Sequence, residues 1–485
     1  MSPATNYLLR NTSLLDSQAS NHLTHPVDIL IEAGRIQSIA PTGRIPARTV
    51  ELELDCSNTL TISGLVNAHT HSPATYAKGT VDADDHPRFM WRNQGETVGR
   101  TEDEIYNCTL LAATEMLESG TTSVIDHYPE QPFGIGQVGP AVQAYKDIGM
   151  RASIALRIFD EPYYDILPSR DSDVPPELAR RIANSPLKPM DARTQIALCR
   201  DIVRRWHEGP DGQISVMLAP SAPLRCSDGF LCDIVNLARE HGLGIHTHLL
   251  ETPVAVEISQ RRYGKSLVRR MHDLGMLGEH VSCAHGIYVS DEEIGLLADS
   301  GTTVVHNPTS NLRIGDGVAP ILKMKQAGVA LALGTDGSST NDNLNMFEEV
   351  KLACILHRHL ATPMHQWLSA TDALHMANSA GSAATVWRNK IGTVKQGLLA
   401  DLTLIDLTSM AFTPLNNALN QLVFADVGRS VKHVFVNGRQ TVSNGQVTLI
   451  NRDRIMQQAR VDRRTTLARN EHLFELAQEI ERYID

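Results

Sequence analysis

The chain has 485 residues, of which 42% are hydrophobic and 20% are charged, a composition that is typical of a folded globular protein and excludes wholesale disorder. The net charge is −11, and no Lys/Arg cluster precedes the C-terminal tail, so we expect no nucleic-acid partner. No apolar run approaches the ~20 residues that cross a bilayer, and the first residues lack the basic start and apolar stretch of a secretory signal.

The cysteines point to the compartment. There are 7 of them, an odd number, and they are scattered along the chain without a CxxC pair. Reduced thiols of this kind are typical of a cytoplasmic protein. We therefore expect a cytoplasmic location. Because no apolar run is long enough to cross a bilayer, we also expect no membrane partner.

The two ends of the chain carry β patterns. Residues 5–60 read as short strands and turns, and VDILIEAGRIQSIAP alternates apolar and polar residues around Gly34, which predicts a hairpin. Similar pieces return at 400–407 (ADLTLIDL) and 431–450, where Asn437–Gly438 is a hairpin turn. The sequence therefore predicts one small sheet domain that is built from both ends, with the middle of the chain inserted into it.

The middle of the chain repeats a strand–loop–helix order. The candidate strands are 61–71, 122–128, 151–159, 214–221, 243–251, 281–286, 302–308 and 329–337. Helical patterns such as 102–120 and 228–242 lie between them, and the second begins after Ser227 and ends at Gly242. The fold class predicted is α/β, a (β/α)8 barrel with apolar interior strands. A doubly wound sheet is the alternative, but no GxGxxG follows a strand.

Polar residues interrupt the apolar strands at their C-terminal ends. They are His69, His71, His246, His248, Glu251, His285, His306 and Asp336. In a barrel these strand ends share one face, where active sites form. Because residues i and i+2 of a strand point the same way, His69 and His71 can reach one metal ion together.

Each histidine taken alone is more often a hydrogen-bonded structural residue than a ligand. His246 fits that interpretation, because only one of the His246–His248 pair is needed, and His306 fits it as well. The four motifs together are more specific for a metal site than any single histidine, since HxH, HxxE, AHG and GTD occur in order at four separate strand ends. A metal site is the better interpretation of the set.

Imidazole nitrogens with one carboxylate make a typical site for a catalytic divalent metal, with one position left open for water. The predicted ligands are His69, His71, His248 and Asp336. Zinc suits this set, and iron also accepts imidazole and carboxylate ligands.

The motifs together resemble the amidohydrolase superfamily, in the cytosine-deaminase-like branch of aromatic aminohydrolases, triazine hydrolases and chlorohydrolases. The matching segments are GLVNAHTH (64–71), GTTSVIDHY (120–128), HTHLLET (246–252), AHG (284–286), VVHNPTSN (304–311), GVAPI (317–321) and GTDGSSTNDNLN (334–345). The segment KIGTVKQGLLADLTLIDL (390–407) matches the family's flanking sandwich. The resemblance implies a TIM barrel over 61–390, a small β-sandwich from 1–60 and 391–450, and a helical tail over 451–485.

The resemblance also implies roles for three residues. Asp336 accepts a proton from the activated water and later passes it to the leaving amine. Glu251 protonates the ring nitrogen next to the reacting carbon, and His285 stabilises the oxygen of the tetrahedral intermediate. Binuclear relatives use a modified lysine on the fourth strand, and ISVMLAPS (214–221) has no lysine, so we expect one divalent ion per chain.

The predicted reaction is hydrolysis of a C–N bond, with release of ammonia or an amine from a nitrogen heterocycle such as a purine, pyrimidine or s-triazine. Glu251 and Asp336 favour C–N hydrolysis over dechlorination, because both can carry protons. An amine must be protonated to leave, whereas chloride leaves without a proton. A dechlorinating or amide-cleaving hydrolase is the alternative. A non-catalytic scaffold is the least favoured hypothesis, because the ligand set is intact.

Three residues are predicted to contact the substrate. Trp91 either stacks on a planar ring or packs as part of a lid. His127 belongs to a DH pair that resembles the pair in relatives acting on oxidised purines, pyrimidines and hydroxytriazines. Arg157 contacts a substrate oxygen or forms a structural ion pair. Ser221 stands where adenosine-type deaminases carry histidine, which counts against S-adenosylhomocysteine or methylthioadenosine as substrate.

The positions of two further segments can also be predicted from the sequence. The Pro- and Asp-rich stretch 159–190 follows the third strand and is expected to cover the site. The tail is expected to be helical, with apolar positions at Ile455, Leu467, Leu473, Leu476 and Ile480. Relatives often dimerise and a two-fold dimer is the commonest soluble oligomer, so we expect a homodimer.

Overall fold

The structure is a computed structural model that describes residues 6–46, 50–128, 133–167, 174–359 and 363–484. Its strands are β1 (Tyr7–Thr12), β2 (Val27–Glu32), β3 (Arg35–Pro41), β4 (Leu52–Asp55), β5 (Thr59–Ser63), β6 (Leu65–Thr70), β7 (Thr121–Tyr128), β8 (Arg151–Ile158), β9 (Ile214–Pro220), β10 (Ile245–Leu249), β11 (Val281–His285), β12 (Thr303–His306), β13 (Ala330–Leu333), β14 (Leu402–Asp406), β15 (Val431–Val436), β16 (Arg439–Ser443) and β17 (Gln446–Val447).

The α-helices alternate with the strands through the middle of the chain and return at its end. They are α1 (His86–Thr97), α2 (Glu102–Glu118), α3 (Ile135–Ile148), α4 (Pro176–Ala183), α5 (Ala192–Trp206), α6 (Asp228–His241), α7 (Pro253–Tyr263), α8 (Leu267–Asp273), α9 (Asp291–Ser300), α10 (Pro308–Arg313), α11 (Ile321–Ala327), α12 (Ser338–Asn341), α13 (Met346–Leu356), α14 (Ala370–Met376), α15 (Ser379–Ala383), α16 (Ala418–Gln421), α17 (Arg452–Arg469) and α18 (Glu471–Ile480). Among the described residues, none of these helices combines the length and the apolar character that a membrane crossing requires.

Strands β6 to β13 form a parallel sheet in which each strand pairs with the next one along the chain. The sheet curls until β13 lies beside β6, where the Asp336 amide donates to the His69 carbonyl at 3.0 Å. The Thr335 amide donates to Asn67 Oδ1 at 3.1 Å in the same place. This nearly closed sheet of eight strands, seen within the described residues, confirms the predicted (β/α)8 barrel.

The barrel strands form where the sequence predicts apolar runs, because their residues are buried on both faces. Every residue of β7 and of β9 is buried. Helix α6 begins at its predicted cap, with Ser227 Oγ accepting from the Phe230 amide, and ends at Gly242 in a left-handed conformation (φ 64°). Local signals therefore place these elements correctly.

Two smaller sheets flank the barrel. One has the strand order β3-β2-β1-β4, and the other, among the described residues, has the order β17-β16-β15-β14-β5. Their facing sides share one apolar cluster, which contains Tyr7, Leu9, Ile29, Ile31, Ile36, Cys56, Ala400, Leu402, Leu404 and Phe435. The predicted β-sandwich built from both ends of the chain is confirmed.

The chain passes from the sandwich into the barrel at Gly64. Strand β5 crosses the expected boundary at residue 60 and pairs with β14, while β6 begins one residue after Gly64. A Cβ at Gly64 would lie 2.2 Å from the side chain of Thr122. Only glycine allows β7 to approach so closely, so the first predicted strand, 61–71, is divided between the two domains.

A buried ion pair joins the sandwich to the barrel. Arg151, at the start of β8, donates through Nε to Asp401 Oδ2 at 2.7 Å and through Nη2 to Asn437 Oδ1 at 2.9 Å. Each of the paired side chains is only 1% exposed. The contact lies at the N-terminal end of the barrel strands, so the sandwich leaves their C-terminal ends open for a site.

The C-terminal tail packs on its own barrel. Helix α17 contacts α2, and α18 contacts α1. Ile455, Leu473, Leu476 and Ile480 are buried by these contacts, whereas Leu467 is 37% exposed. Asn470 donates to the carbonyls of Gly95 and Val98, at 3.0 and 2.8 Å. The tail therefore holds α1, the helix that follows the first barrel strand.

Candidate metal centre and active site

The four predicted ligands meet at the C-terminal end of the barrel. His71 Nε2 lies 3.4 Å from His248 Nε2 and 3.2 Å from Asp336 Oδ1. His69 Nε2 lies 3.4 Å from the same Asp336 oxygen. Ligand atoms that are about 2.0–2.2 Å from one tetrahedral ion are about 3.3–3.6 Å from one another, so these separations fit a single metal.

Hydrogen bonds set the tautomers of two of these histidines. His71 donates through Nδ1 to the His127 carbonyl at 2.6 Å. His248 donates through Nδ1 to the Ser221 carbonyl at 2.5 Å. With the proton on Nδ1, each ring presents the lone pair of Nε2 to the shared centre. Backbone carbonyls commonly orient metal-binding histidines in this way.

His69 is held by a second histidine. Its Nδ1 shares a hydrogen bond with His246 Nε2 at 2.8 Å, and His246 Nδ1 contacts Ser282 Oγ at 2.7 Å. His69 Nε2 is buried and has no hydrogen-bond partner among the described residues. A buried nitrogen without a partner costs free energy, and coordination of an ion removes that cost. His246 thus supports a ligand, as the sequence interpretation of a structural histidine suggests.

Burial favours the neutral forms of His69 and His248, whereas at His71 the Asp336 carboxylate outweighs burial and raises the pKa. Burial lowers the pKa of His69 to about 4 and holds the pKa of His248 well below its usual range. Burial by itself would raise the pKa of Asp336, but its contacts with His69 and His71 keep that pKa well below the ordinary range. Neutral imidazoles and an ionised carboxylate are the forms that bind a divalent cation. The donor set fits a metal of the zinc or iron type.

Asp336 is fixed on both of its oxygens. Oδ1 accepts from the Gly337 amide at 2.8 Å, and Oδ2 accepts from Ser310 Oγ at 2.5 Å and from Thr340 Oγ1 at 3.3 Å. Its backbone is left-handed, with φ 59°. A left-handed residue other than glycine costs about 1–3 kcal/mol, and such strain is typical of functional sites.

Glu251 and His285 lie beside this centre. Glu251 Oε1 is 3.5 Å from His285 Nε2, and each offers an atom to a group with Asp336 whose members lie within 4.8 Å of one another. His285 Nδ1 bonds to Asn311 Oδ1 at 2.8 Å, which leaves Nε2 directed toward the site. The structure therefore brings together the three residues predicted to be catalytic, and their individual roles stay predictions.

The predicted substrate contacts occupy different positions. Arg157 lines the cavity above the metal ligands. Trp91 is 2% exposed and donates through Nε1 to the Ile166 carbonyl at 3.0 Å, which is the packed arrangement rather than an open stacking surface. His127 is buried, and its ring centroid lies 4.4 Å from that of His248. Contacts of these residues with substrate stay predictions.

The segment after β8 lies against the cavity. Asp165 accepts two bonds from Arg225 Nη2, at 3.1 and 2.9 Å, and the Tyr163 hydroxyl bonds to Ser221 Oγ at 3.0 Å. The guanidinium of Arg225 lies 3.8 Å from the centroid of the Tyr163 ring. The described part of the 159–190 stretch therefore helps to form the wall of the site, and its residues 168–173 lie outside the described residues.

Sequence reasoning missed His86 and Asp316. His86 lines the cavity, and its Nδ1 lies 3.6 Å from Glu251 Oε1 and 3.4 Å from Asp316 Oδ2. Burial opposes charge on His86, but Glu251 and Asp316 outweigh that effect and raise the pKa of His86 to about 9. Neither residue belongs to a catalytic motif, and the only signal was the position of Asp316 just before GVAPI.

The sequence profile of the amidohydrolase family matches residues 60–441. The chain is 32% identical over 460 residues to a 5-methylthioadenosine/S-adenosylhomocysteine deaminase of Thermoanaerobacter pseudethanolicus, covering 93% of this chain and 97% of that protein. It is also 32% identical to a 5′-deoxyadenosine deaminase of Methanosarcina mazei, over 89% of this chain and 91% of that protein.

Solved structures are similar as well. An adenosine deaminase from Xanthomonas campestris with bound zinc superposes with a TM-score of 0.82 at 26% identity, covering 96% of this chain and 99% of that one. The atrazine chlorohydrolase from Arthrobacter aurescens, complexed with zinc, superposes with a TM-score of 0.83 at 22% identity, covering 94% of this chain and 100% of that one. The chlorohydrolase likeness concerns the fold alone.

The ligand set predicts one divalent ion per chain, because His71 Nε2 lies 3.4 Å from His248 Nε2 and the nearest Asp336 oxygen lies 3.4 and 3.2 Å from His69 and His71. Elemental analysis of the purified protein should give about one metal per chain. His248→Ala should lose the metal, whereas His272→Ala, which changes a side chain that is 51% exposed on the surface, should retain it. Two ions per chain, or full metal content in the His248 variant, would contradict the assignment.

Proposed function

The chain belongs to the amidohydrolase family, and we propose that it is a metal-dependent aminohydrolase that removes an amino group from a purine-type nitrogen heterocycle. The observation that carries this proposal is the grouping of Glu251, His285 and Asp336 within 4.8 Å of one another beside the metal ligands. Hydrolytic deamination needs a proton delivered to the ring and a second proton delivered to the departing amine. Glu251 and Asp336 are carboxylates in position for these two transfers.

Different residues are proposed to carry out different steps of the reaction. A divalent ion held by His69, His71, His248 and Asp336 would supply an activated water near neutral pH. Asp336, an anion held by Ser310 and Gly337, is ready to accept a proton. His285 is oriented by Asn311 so that Nε2 faces the reacting carbon. Glu251 delivers its proton to the neighbouring ring nitrogen.

The metal proposed is zinc, with one ion per chain. The donor set supports it, and zinc is bound in the similar adenosine deaminase structure. Iron is the alternative, because imidazole and carboxylate ligands suit both ions.

The relatives support a purine substrate without identifying it. Those that are 32% identical are named for methylthioadenosine, S-adenosylhomocysteine and 5′-deoxyadenosine. The family resemblance places Ser221 where adenosine-type deaminases commonly carry histidine, and here its hydroxyl bonds to Tyr163 at 3.0 Å and to Arg225 at 3.4 Å. We therefore propose a purine-type ring as the substrate and leave open whether a ribose is attached.

A screen tests the proposal. Metal-loaded enzyme is incubated with aminopurines, their nucleosides, aminopyrimidines and s-triazines, and ammonia, alkylamine and chloride are measured separately. We expect ammonia from at least one aminopurine-type compound. Chloride release without ammonia would favour the dechlorinating alternative, and amine release from an open-chain amide would favour the amide-cleaving one. No release from any compound would contradict the function.

Glu251→Gln tests the proton delivery. This change keeps the shape of the side chain and removes its titratable proton. Because Glu251 is not among the predicted ligands, we expect full metal content and a loss of roughly 10²-fold or more in kcat, the scale of a general acid–base residue. Glu257→Gln, an exposed residue of α7, is the matched control and should leave kcat unchanged. Metal loss in the Glu251 variant would mean that Glu251 is a ligand.

We also propose a homodimer in the cytoplasm. The cysteines of the chain are free thiols, which suits a reducing compartment. On α17, Val461 and Leu467 are 45% and 37% exposed, and they offer apolar surface that the chain itself does not cover. Light scattering at micromolar concentration should give twice the mass of 53.3 kDa. A monomer at that concentration would contradict the dimer.

A further inference from the structure

Glu349, on α13, is a buried carboxylate that does not line the catalytic cavity. It is 0% exposed. Its Oε1 accepts from Asn341 Nδ2 at 2.8 Å, and its Oε2 accepts from the Thr309 amide at 3.3 Å. Both partners are neutral, and the groups that chiefly influence its pKa include no basic side chain. Within the part of the chain that the structure describes, the carboxylate is therefore held by hydrogen bonds rather than by an ion pair.

Burial of this carboxylate is unfavourable. It raises the pKa of Glu349 to about 7, although the bonds from Thr309 and Asn341 favour the ionised form. A neutral side chain of similar shape at this position would avoid the cost of burying a charge without a basic partner. The carboxylate therefore calls for a role beyond filling space, and its two hydrogen bonds indicate that role.

The contact with Thr309 fixes one of the two hydroxyl groups that hold Asp336. Thr309 and Ser310 are consecutive residues in the first turn of α10. Glu349 binds the amide of the first, and Ser310 Oγ donates to Asp336 Oδ2 at 2.5 Å. A shift of this turn would lengthen the bond to Asp336, so the position of the Ser310 hydroxyl depends on the bond to Glu349.

The contact with Asn341 fixes the other hydroxyl group and the backbone before Asp336. Asn341 follows Thr340, whose Oγ1 lies 3.3 Å from Asp336 Oδ2. The side-chain amide of Asn341 has two N–H bonds, of which one is donated to Glu349 and the other to the Thr335 carbonyl at 2.7 Å. Thr335 directly precedes Asp336 in the chain. Both oxygens of Glu349 are thus connected to the surroundings of Asp336.

Asp336 needs such support because its backbone is strained. Its φ is 59°, and a left-handed residue other than glycine persists only where its surroundings determine it. Its Oδ1 must also face the shared metal position beside His69 and His71, at 3.4 and 3.2 Å from their Nε2 atoms. A rotation of this carboxylate would therefore change a metal ligand and a proton acceptor together.

We propose that Glu349 is a positioning residue, which holds the carboxylate of Asp336 in the orientation for metal binding and proton transfer without touching the metal or the substrate. It acts through its hydrogen bonds to Thr309 and Asn341. This inference rests on the proposed function, in which Asp336 is both a ligand and a proton acceptor. Loss of a group that orients a metal ligand typically lowers metal affinity or activity by about 10- to 100-fold, and we expect an effect of that size.

Glu349→Gln tests the proposal at pH 8, where the wild-type carboxylate is ionised because the pH is above its pKa of about 7. The amide keeps the shape of the side chain, but its NH2 group cannot accept a hydrogen bond, so one of the two donors loses its partner. Competition with a chromophoric chelator should show zinc affinity lowered by about 10-fold or more. Glu348→Gln, at the exposed neighbouring position on the same helix, is the matched control and should leave the affinity unchanged.

Cobalt(II) gives a second measurement that needs no turnover. Its visible absorption depends on the geometry of its ligands. With one cobalt ion bound per chain, we expect Glu349→Gln to change the absorption bands and Glu348→Gln to leave them as in wild type. Unchanged zinc affinity together with an unchanged cobalt spectrum in the Glu349 variant would overturn the proposal. Absence of ammonia from every compound would instead defeat the proposed function and leave these two measurements valid.

A double-mutant comparison separates positioning from a general structural effect. Ser310→Ala combined with Thr340→Val removes both hydroxyl groups that hold Asp336. In that background Glu349 has lost its main route to Asp336, so Glu349→Gln should change zinc affinity by less than about threefold, because residues that act through one network are not additive. The same loss of 10-fold or more in both backgrounds would contradict the proposed route.

Thermal unfolding of the metal-free proteins shows whether the fold is retained. Because the pKa of Glu349 is raised in the folded protein, its ionisation lowers stability as the pH rises from the ordinary value of 4.5 to about 7. At pH 8 the Glu349→Gln protein should therefore unfold at a midpoint no lower than that of wild type. Should this variant fail to fold, Asn341→Ala decides, since it breaks the same route and keeps the carboxylate. Wild-type zinc affinity in Asn341→Ala would overturn the proposal, and a loss of about 10-fold would support it.

Discussion

The site depends on one constraint, which is that a buried imidazole nitrogen costs free energy unless it has a hydrogen-bond partner or binds an ion. The Nδ1 atoms of the three candidate ligands have such partners. Backbone carbonyl oxygens pair with His71 and His248, and a second imidazole pairs with His69. The Nδ1 protons therefore point away from the predicted metal position, and the Nε2 atoms point toward it. A divalent ion bound there would satisfy these nitrogens together with Asp336, so folding and metal binding would serve the same requirement.

The sandwich and the tail pack on the barrel away from that centre. The sandwich is attached at the N-terminal end of the barrel strands through Arg151 and Asp401, both buried. The tail packs on α1 and α2, near the start of the barrel, where Asn470 binds two carbonyls of the α1 region. Helix α1 therefore has a fixed position above the strands, because it is held by contacts with a residue 372 to 375 positions later in the chain.

Much of the fold and the centre of the site were predictable from local patterns. The apolar runs of the barrel strands are continuous because these strands are buried on both faces, and the ligands stand at the ends of those runs, where the strand order alone places them on one face. The division at Gly64 was not predictable, because it depends on the distance to Thr122 in another strand. The tail was predicted to be helical, but a helix pattern does not say which surface its apolar positions cover, and most of them are buried by its own barrel.

The sequence by itself determined the family and the barrel and predicted the four candidate ligands, because those features depend on residues close together in the chain and on the regular order of parallel strands. Only the tertiary structure decided what surrounds the reacting ring. His86 and Asp316 are 230 positions apart, and neither lies in a catalytic motif, yet they meet with Glu251 at one wall of the cavity. Their contact arises from how loops of different lengths fold over the barrel, and such contacts between distant loops leave no periodic signal in the sequence.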